Sequence, residues 1–195
     1  MTEGSDGETI VVCDYDAAWQ DWFAVLQARV WPAVRDVALR IDHVGSTSVP
    51  GLAAKPIIDM DVVVADEADV PVAIERLDTI GYRWIGDLDI VGREAFHPPD
   101  GGARPEHHLY LVVENNRAHQ DHWLLRDLLR ADPAARARYG DLKRANARVA
   151  AGDLGRYTAL KAAFVAELLT RARIERGLDP VTYWAPLDDP GARST

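Results

Sequence analysis

Residues 41–64, which read IDHVGSTSVPGLAAKPIIDMDVVV, predict a strand, a turn and a second strand. The turn carries a glycine and three hydroxyl residues, and the second strand is apolar except for Asp59 and Asp61. Because side chains alternate along a strand, the two aspartates lie on one face, with their Cα atoms roughly 6.5 to 7 Å apart. Two like charges this close on a half-buried strand repel each other, and a divalent cation removes that conflict.

Two interpretations of the aspartate pair are open from the strand alone. Either the carboxylates converge on one metal ion or on a pair about 3.5 to 4 Å apart, or they lie in solvent at a sheet edge. The preceding turn favours the metal site, because Gly45 lets a phosphate approach the backbone closely. Ser46, Thr47 and Ser48 would offer N–H groups and hydroxyls to phosphate oxygens. Lys55 would add a positive charge, although a lysine before a proline is also common as a solvated residue.

The composition of the chain excludes several classes of protein. A chain of 195 residues with 48% hydrophobic residues predicts one domain with a real core. The formal net charge of -9 and the pI near 5.1 argue against binding to long nucleic acid, but a small anionic substrate can still meet a local basic pocket. The single cysteine, Cys13, excludes an intrachain disulfide. With no signal-like or membrane-spanning segment in the sequence, we expect a cytoplasmic protein without a membrane partner.

The periodicity of apolar residues predicts an α+β protein. A helix is expected after Asp16, another over about 70–80 that stops at Gly81, and a hairpin or mobile loop over 86–106. Strands are predicted at ETIVVCDYD (8–16), LRIDHVG (39–45), IIDMDVVV (57–64), YRWIG (82–86) and HHLYLVVE (107–114).

The pattern becomes helical from His119 onward. Three helical segments follow, of which the second begins at Pro133 and the last ends at Gly177. The expected organisation is a single domain over residues 1–178, with about 119–177 as its helical C-terminal part. Residues 179–195 are expected to form an irregular tail.

The spacing of the turn and the aspartates is similar to a known signature. An apolar residue and Gly-Ser, followed after twelve residues by Asp-apolar-Asp, resembles the nucleotidyltransferase superfamily that includes DNA polymerase β. The longer string HVGSTSVPGLAAKPIIDMDV resembles the GrpB family within that superfamily. Further matching segments are YDAAW (15–19), HHLYLVV (107–113), LLRDLLRADPAARARYGDLK (124–143) and RYTALKAAFV (156–165).

The resemblance implies a fold and a reaction. The fold would be a small mixed sheet flanked by helices, with a C-terminal helical extension. Gly45 and Ser46 would hold the phosphates of a nucleoside triphosphate (NTP), and Asp59 and Asp61 would bind Mg²⁺ or Mn²⁺. The reaction would move a nucleoside monophosphate from the NTP to a small-molecule acceptor, with release of pyrophosphate.

The third carboxylate that the superfamily takes from a later strand is missing from HHLYLVV. On that strand His108 and Tyr110 share a face, and GrpB relatives commonly have a histidine where Tyr110 stands. Three interpretations are open: His108 replaces the acid as ligand or base, Glu94 or Glu106 reaches in from the loop, or catalysis is weakened. We predict that His108 is a site residue.

Arg126 and Lys143 are predicted to bind phosphate, because they lie in a well-matched segment. Helix-surface ion pairs with Asp127 and Asp141 are the alternative for these two. Lys161 lies in another matching segment, and the same alternatives apply to it.

Two further functions remain open from the sequence. The missing acid, and the occurrence of GrpB fused to dephospho-CoA kinase, suggest a non-catalytic module that binds a nucleotide or CoA-like ligand and acts with a partner. A hydrolase or ligase that uses the same carboxylates is the third possibility. The residue pattern does not predict the oligomeric state.

Overall fold

The protein is described by a computed structural model that covers residues 9–99 and 104–181. Its helices are α1 (Ala18–Val34), α2 (Val70–Asp78), α3 (Arg117–Ala131), α4 (Pro133–Ala150) and α5 (Leu154–Ile174). Its strands are β1 (Ala38–Val44), β2 (Ile58–Val64), β3 (Arg83–Trp84), β4 (Arg93–His97) and β5 (His107–Val113). Single 3₁₀ turns follow β1 at Ser46–Ser48 and β2 at Glu67–Asp69.

The five strands form one mixed sheet in the order β1-β2-β5-β4-β3. β2 and β5 pair in parallel, and the other pairs are antiparallel. The parallel pair lies at the inside of the sheet, as expected for strands that are apolar on both faces over much of their length. The predicted small mixed sheet flanked by helices is therefore confirmed.

One face of the sheet carries the main hydrophobic core. Alternate residues of β2 and β5 point to this face, where they pack against α1 and α2. The buried residues on this face include Ile58, Met60, Val62, Leu109 and Leu111 from the strands, with Trp19, Leu26 and Val30 from α1 and Leu77 from α2. This packing leaves Asp59 and Asp61 on the opposite face.

The three C-terminal helices form a second core and lie toward that opposite face. Their apolar side chains enclose Val49 and Leu52, which follow the turn after β1. The helices begin where the sequence provides caps: the side chains of Asn116, Asp132 and Asp153 each accept a hydrogen bond from a backbone N–H in the first turn. The second core therefore packs α3, α4 and α5 against the residues that come directly after the Gly-Ser turn.

Several predicted elements differ in the structure. The segment 8–16 is not a strand in its described part, residues 9–16, where Cys13 forms an isolated bridge with Ala54. The loop 86–106 contains β4, so the hairpin interpretation holds there. Residues 182–195, most of the predicted tail, lie outside the described residues.

Candidate active site

Asp59 and Asp61 lie on the same face of β2, and this face is turned toward the Gly-Ser bend. Gly45 has φ +68°, and a Cβ atom at this position would overlap the carboxylate of Asp59. A side chain at Gly45 is therefore excluded both by the backbone and by the contact. The Asp61 side chain is completely buried, whereas that of Asp59 is about one quarter exposed. The turn and the acid predicted to act together are in direct contact.

A histidine lies against each aspartate. His108 is paired with Asp59 in the parallel register of β2 and β5, and its Nδ1 donates to Asp59 Oδ1 at 2.9 Å. His122, from α3, donates from Nδ1 to Oδ1 and Oδ2 of Asp61 at 3.0 and 2.8 Å. Tyr110, which is paired with Asp61, lies between the two imidazoles, with ring centroids 6.2 Å from His108 and 5.8 Å from His122.

These pairs shift the pKa values of the groups in the site. Burial opposes ionisation of Asp59, but the hydrogen bond from His108 and the nearby positive charges outweigh it, so the pKa of Asp59 is lowered. Burial likewise lowers the pKa of His122, but the charge and hydrogen bond of Asp61 are stronger, and the pKa of His122 is raised. The imidazoles of His108 and His122 therefore stabilise the two carboxylates electrostatically.

The three hydroxyls of the turn have different roles. Ser48 Oγ donates to the carbonyl of Gly45 at 2.6 Å, and Thr47 Oγ1 donates to the carbonyl of Ile57 at 3.2 Å, so both side chains hold the turn. Thr47 Oγ1 also accepts from His43 Nε2 at 3.0 Å. Ser46 alone among the three lines the cavity beside Asp59. Its hydroxyl is at the cavity wall, where it accepts a hydrogen bond from Lys143 Nζ at 2.9 Å.

A cavity of about 180 Å³ lies between the turn and the C-terminal helices. Its walls come from β1–β2 and from α3, α4 and α5, and they include Gly45, Ser46, Asp59, Arg126, Tyr139 and Lys161. A larger hollow of about 360 Å³ lies between α1 and β1 and contains none of the predicted site residues. We place the site in the smaller cavity, because that cavity joins the turn, an aspartate and two cations.

The chain contains three lysines, Lys55, Lys143 and Lys161, and the charge of Asp59 acts on all of them. Lys143 is 2% exposed and donates from Nζ to Ser46 Oγ at 2.9 Å. Burial, with the repulsion of Lys161, lowers the pKa of Lys143 well below its ordinary value. Burial, with the charge of Lys55, lowers the pKa of Lys161 to about 8. Within residues 9–99 and 104–181, none of these amines forms an ion pair.

Arg126 forms the ion pair with Asp127 expected from the sequence, and its side chain also lines the cavity. Its Nε donates to Asp127 at 2.8 Å, and its Nη1 donates to the carbonyl of His43 at 3.2 Å while the side chain lines the cavity. The expected ion pair of Lys143 with Asp141 does not form; Arg144 takes Asp141 instead, and Lys143 turns inward to Ser46. Lys55 is half-buried near Asp59 and Glu106.

The suggestion that Glu94 reaches the aspartates is wrong. Glu94 lies in β4 opposite Leu111, which puts its side chain on the other face of the sheet, and it accepts from Trp84 Nε1 at 2.7 Å. Glu106 is exposed just before β5. The nearest extra acid is instead Asp42, which β1 places directly opposite Asp61. Asp42 is held by Arg40 at 3.1 Å.

The sequence analysis did not predict that one face of α3 contacts the acidic face and the turn. His119, His122, Arg126 and Arg130 follow one another at intervals of three or four residues, so they share this face. His119 lies 3.5 Å from Asp42, and Arg130 donates to the carbonyl of Ser48 at 2.7 Å. The repeat of His and Arg at helical spacing was the signal that would have predicted this contact with the acidic face.

The geometry of these side chains partly supports metal binding. Among the described residues, no three His, Cys, Asp or Glu side chains surround a single point. The donors come as two pairs, Asp59 with His108 and Asp61 with His122, and carboxylate and imidazole are both divalent-metal ligands. Asp59 is partly exposed and lines the cavity, so a cation held there could take water or phosphate oxygens as its other ligands, whereas Asp61 is fully buried. No helix within the described ranges is long and apolar enough to cross a membrane.

The class of fold is a small mixed sheet flanked by helices, with paired acids on the inner strand β2 beside a Gly-Ser turn. Residues 9–171 match the family described as GrpB protein, and the chain belongs to that family. It is 33% identical over 165 residues to a UPF0157 protein of Halalkalibacterium halodurans, covering 84% of this chain and 83% of that protein. The resemblance to the GrpB family that the sequence shows is therefore confirmed.

The chain is also similar to solved structures. The crystal structure of the conserved protein GrpB from Enterococcus faecalis matches with a TM-score of 0.75 and 29% identity, over 86% of this chain and 99% of that chain. The structure of Cid1 in complex with the UTP analog UMPNPP matches with a TM-score of 0.43 and 12% identity, over 69% of this chain and 44% of that chain.

Proposed function

We propose that this protein is a metal-dependent nucleotidyltransferase that moves a nucleoside monophosphate from an NTP to a small-molecule acceptor and releases pyrophosphate. The observation that carries the proposal is the contact of Gly45 with Asp59, at the edge of a cavity lined by Ser46 and Lys161. This contact supports the proposal, because the turn and the carboxylate are close enough to act on one bound phosphate.

Phosphate binding is supported by the cations around the cavity. A buried amine without a carboxylate is costly in its charged form, and an entering anion removes that cost. Lys143 and Lys161 are in this situation, and Arg126 extends the positive surface toward α3. We therefore assign the triphosphate to the space between the turn and these three side chains, with Lys55 nearby. The backbone of Thr47 and Ser48 would complete the turn.

The cation would be held by Asp59 and Asp61. When bound there, Mg²⁺ or Mn²⁺ supplies charge neutralisation for the phosphates. The residues of the chain do the remaining work: Gly45 and Ser46 keep the phosphates against the acids, and His108 holds Asp59 in position at 2.9 Å. The acidic net charge of -9 favours a small acceptor over a nucleic acid chain.

Pyrophosphate release tests the proposal. The protein is incubated with Mg²⁺ or Mn²⁺, each NTP in turn and a pool of small metabolites. Release is expected for the wild type, and it should be lost in Asp59→Asn and Asp61→Asn. Asp78→Asn, an exposed aspartate on α2, is the matched control. Equal release in the two site variants and the control would refute the mechanism.

A second function is favoured by one observation. Both aspartates are already bonded to histidines, and β5 offers no acid, as expected for a module that binds a nucleotide or CoA-like ligand without turnover and acts with a partner. This function predicts nucleotide affinity that is unchanged by a chelator, together with no pyrophosphate release. Calorimetry with and without chelator separates the two functions.

A further inference from the structure

Ser46 and Lys143 form a polar pair at the wall of the cavity. Nζ of Lys143 lies 2.9 Å from Ser46 Oγ, although the two residues are 97 positions apart in the chain. Ser46 is half-buried and lines the cavity together with Asp59 and Lys161, whereas Lys143, on α4, is 2% exposed. The pair therefore consists of a hydroxyl that a ligand can reach and an amine that is almost closed to solvent.

The surroundings of Lys143 favour its neutral form. The charged groups that act on the amine are Lys161 of α5, Arg144 of α4 and Asp59 of β2, so two cations oppose one carboxylate. Burial is the largest cause and, together with these cations, lowers the pKa of Lys143 well below its ordinary value. Among the described residues, Lys143 forms no ion pair, because the nearby Asp141 is taken by Arg144.

A hydroxyl beside a neutral amine has the arrangement of a nucleophile with its general base. The amine offers a lone pair, and the hydroxyl hydrogen rotates freely, so Ser46 can donate to Nζ as well as accept from it. A serine is a weak nucleophile until a base at this distance takes its proton, and Ser-Lys pairs on other folds work in this way. Nζ also lies 4.4 Å from the ring centroid of Tyr139, which helps to hold the amine beside Ser46.

We propose that Ser46 is the first acceptor of the nucleotidyl group, with Lys143 as its general base, so that transfer to the small molecule proceeds through a nucleotidyl-serine. This inference rests on the proposed function, because it names a covalent step of the same reaction. In that step Ser46 Oγ bonds to the α-phosphorus of the NTP, the bond from this phosphorus to the bridging oxygen breaks, and pyrophosphate leaves. The serine proton passes to Nζ of Lys143.

The second step regenerates the pair. The hydroxyl of the acceptor attacks the same phosphorus and releases its proton to water. The bond from phosphorus to Ser46 Oγ breaks, and Ser46 takes its proton back from Lys143. Across both steps one NTP and one acceptor give one nucleotidylated product, one pyrophosphate and one proton.

The charges around the cavity suit these steps. The phosphodiester formed on Ser46 is an anion, which compensates the charge that Lys143 gains with the proton. Lys161 and Arg126 line the same cavity, where their positive charges stabilise the phosphoryl oxygens as negative charge develops. The pair also gives a role to a buried lysine that is directed at a hydroxyl and not at a carboxylate.

A small fluorophosphonate tests the pair without metal or nucleotide, because a serine oxygen attacks its phosphorus and fluoride leaves. The full-length protein is treated in buffer that contains a chelator, and the modified residue is identified by peptide mass spectrometry. We expect modification of Ser46, no modification in Ser46→Ala, and a reaction at least about 100-fold slower in Lys143→Met. Arg148→Met, at an exposed position of the same helix, is the control and should react at the wild-type rate.

The pH dependence of this reaction separates a base from a structural support. With Lys143 as the base, the wild-type rate should follow the loss of one proton from the amine and then level off. Lys143→Met should react in proportion to hydroxide, about tenfold faster for each pH unit. A wild-type rate that is equal to that of Lys143→Met and rises with hydroxide would overturn the inference. The wild-type profile decides the question even if Lys143→Met does not fold.

The covalent intermediate is sought with NTP and Mg²⁺ or Mn²⁺ in the absence of an acceptor. We expect one nucleoside monophosphate on the peptide that contains Ser46, an equal amount of pyrophosphate, and loss of the adduct when a pool of small metabolites is added. Transfer to an acceptor with pyrophosphate release, but with no adduct at any time, contradicts the inference and leaves the proposed function intact. A protein that gives neither adduct nor pyrophosphate contradicts both.

Discussion

His122 and Asp61 are 61 positions apart in the chain, and Nδ1 of His122 lies 3.0 and 2.8 Å from the two carboxylate oxygens of Asp61. The carboxylate is completely buried, whereas His122 is one quarter exposed. A buried carboxylate that loses its only charged partner is strongly destabilising. This contact therefore joins α3 to the central strand as well as forming part of the candidate site.

Removing that histidine is expected to destabilise the fold. His122→Leu should lower the free energy of unfolding by about 2 to 4 kcal/mol, somewhat less than for a fully buried pair because the ring is partly exposed. Urea denaturation measures the change. His108→Leu is the matched control, since His108 is about half exposed, and its loss should cost less than about 1 kcal/mol. Equal losses in the two variants would contradict a special role for the buried pair.

Gly45 is expected to be intolerant of any side chain. Gly45→Ala combines a backbone conformation that only glycine adopts readily (φ +68°, ψ −170°) with overlap of the Asp59 carboxylate. Gly177→Ala is the control for a positive φ without a contact, because Gly177 also has φ +68° but nothing within 4 Å of the added atom. The control should cost about 1 to 2 kcal/mol of unfolding free energy, the cost of the backbone alone. Gly45→Ala should cost more and should also weaken divalent-ion binding; equal costs would mean that Asp59 moves away freely.

Phosphate binding is expected to weaken as the pH rises through about 8. The pKa of Lys161 is lowered to about 8, so the amine is charged below this pH and loses its charge above it. Calorimetric titration with tripolyphosphate in metal-free buffer from pH 6.5 to 9.5 measures the effect, which is at most about tenfold per pH unit for one group.

The control for this titration is Lys161→Arg, which keeps its charge over the whole range. It should bind tripolyphosphate with a flatter pH dependence, and Lys161→Met should bind weakly at every pH. If all three proteins lose affinity in parallel, the titrating group is not Lys161.

His43 is expected to make the fold sensitive to acid. Burial lowers the pKa of His43 to about 4, so the folded protein resists a proton that the unfolded chain accepts near pH 6.5. Stability should fall as the pH decreases from about 6.5 to 4, by about 2 to 3 kcal/mol from this residue. The measurement is the difference in unfolding free energy between wild type and His43→Gln across this range. A constant difference would show that His43 is protonated without cost.

The elements of this protein follow closely from local patterns. Alternation placed Asp59 and Asp61 on one face of β2, and Pro133 and Gly177 marked helix boundaries near those observed. One exception has a tertiary cause. Cys13 lies in an apolar run that forms only an isolated bridge with Ala54, so no strand forms over the described residues 9–16. Local propensity cannot report whether a neighbouring strand is available.

Only part of the candidate site could be predicted from the sequence. Gly45, Ser46 and the aspartates lie within 17 positions of one another, so their proximity follows from a strand, a turn and a strand. His108 could also be predicted as a site residue, because it lies in a strand that the sequence predicts. Glu94 was misplaced because its face depends on the register between β4 and β5, and a shift of one residue moves a side chain to the other face.

The sequence by itself determined the acidic face, the glycine turn that touches it and the family of the chain, because these depend on periodicity and on short spacings. Only the tertiary structure decided that His122 completes Asp61, that Lys143 turns inward to Ser46, and that Asp42 lies beside the acids. Each of these contacts joins residues whose meeting depends on how α3 and α4 pack and on how β1 pairs with β2. Those arrangements are set by side-chain packing between distant segments, which no local pattern contains.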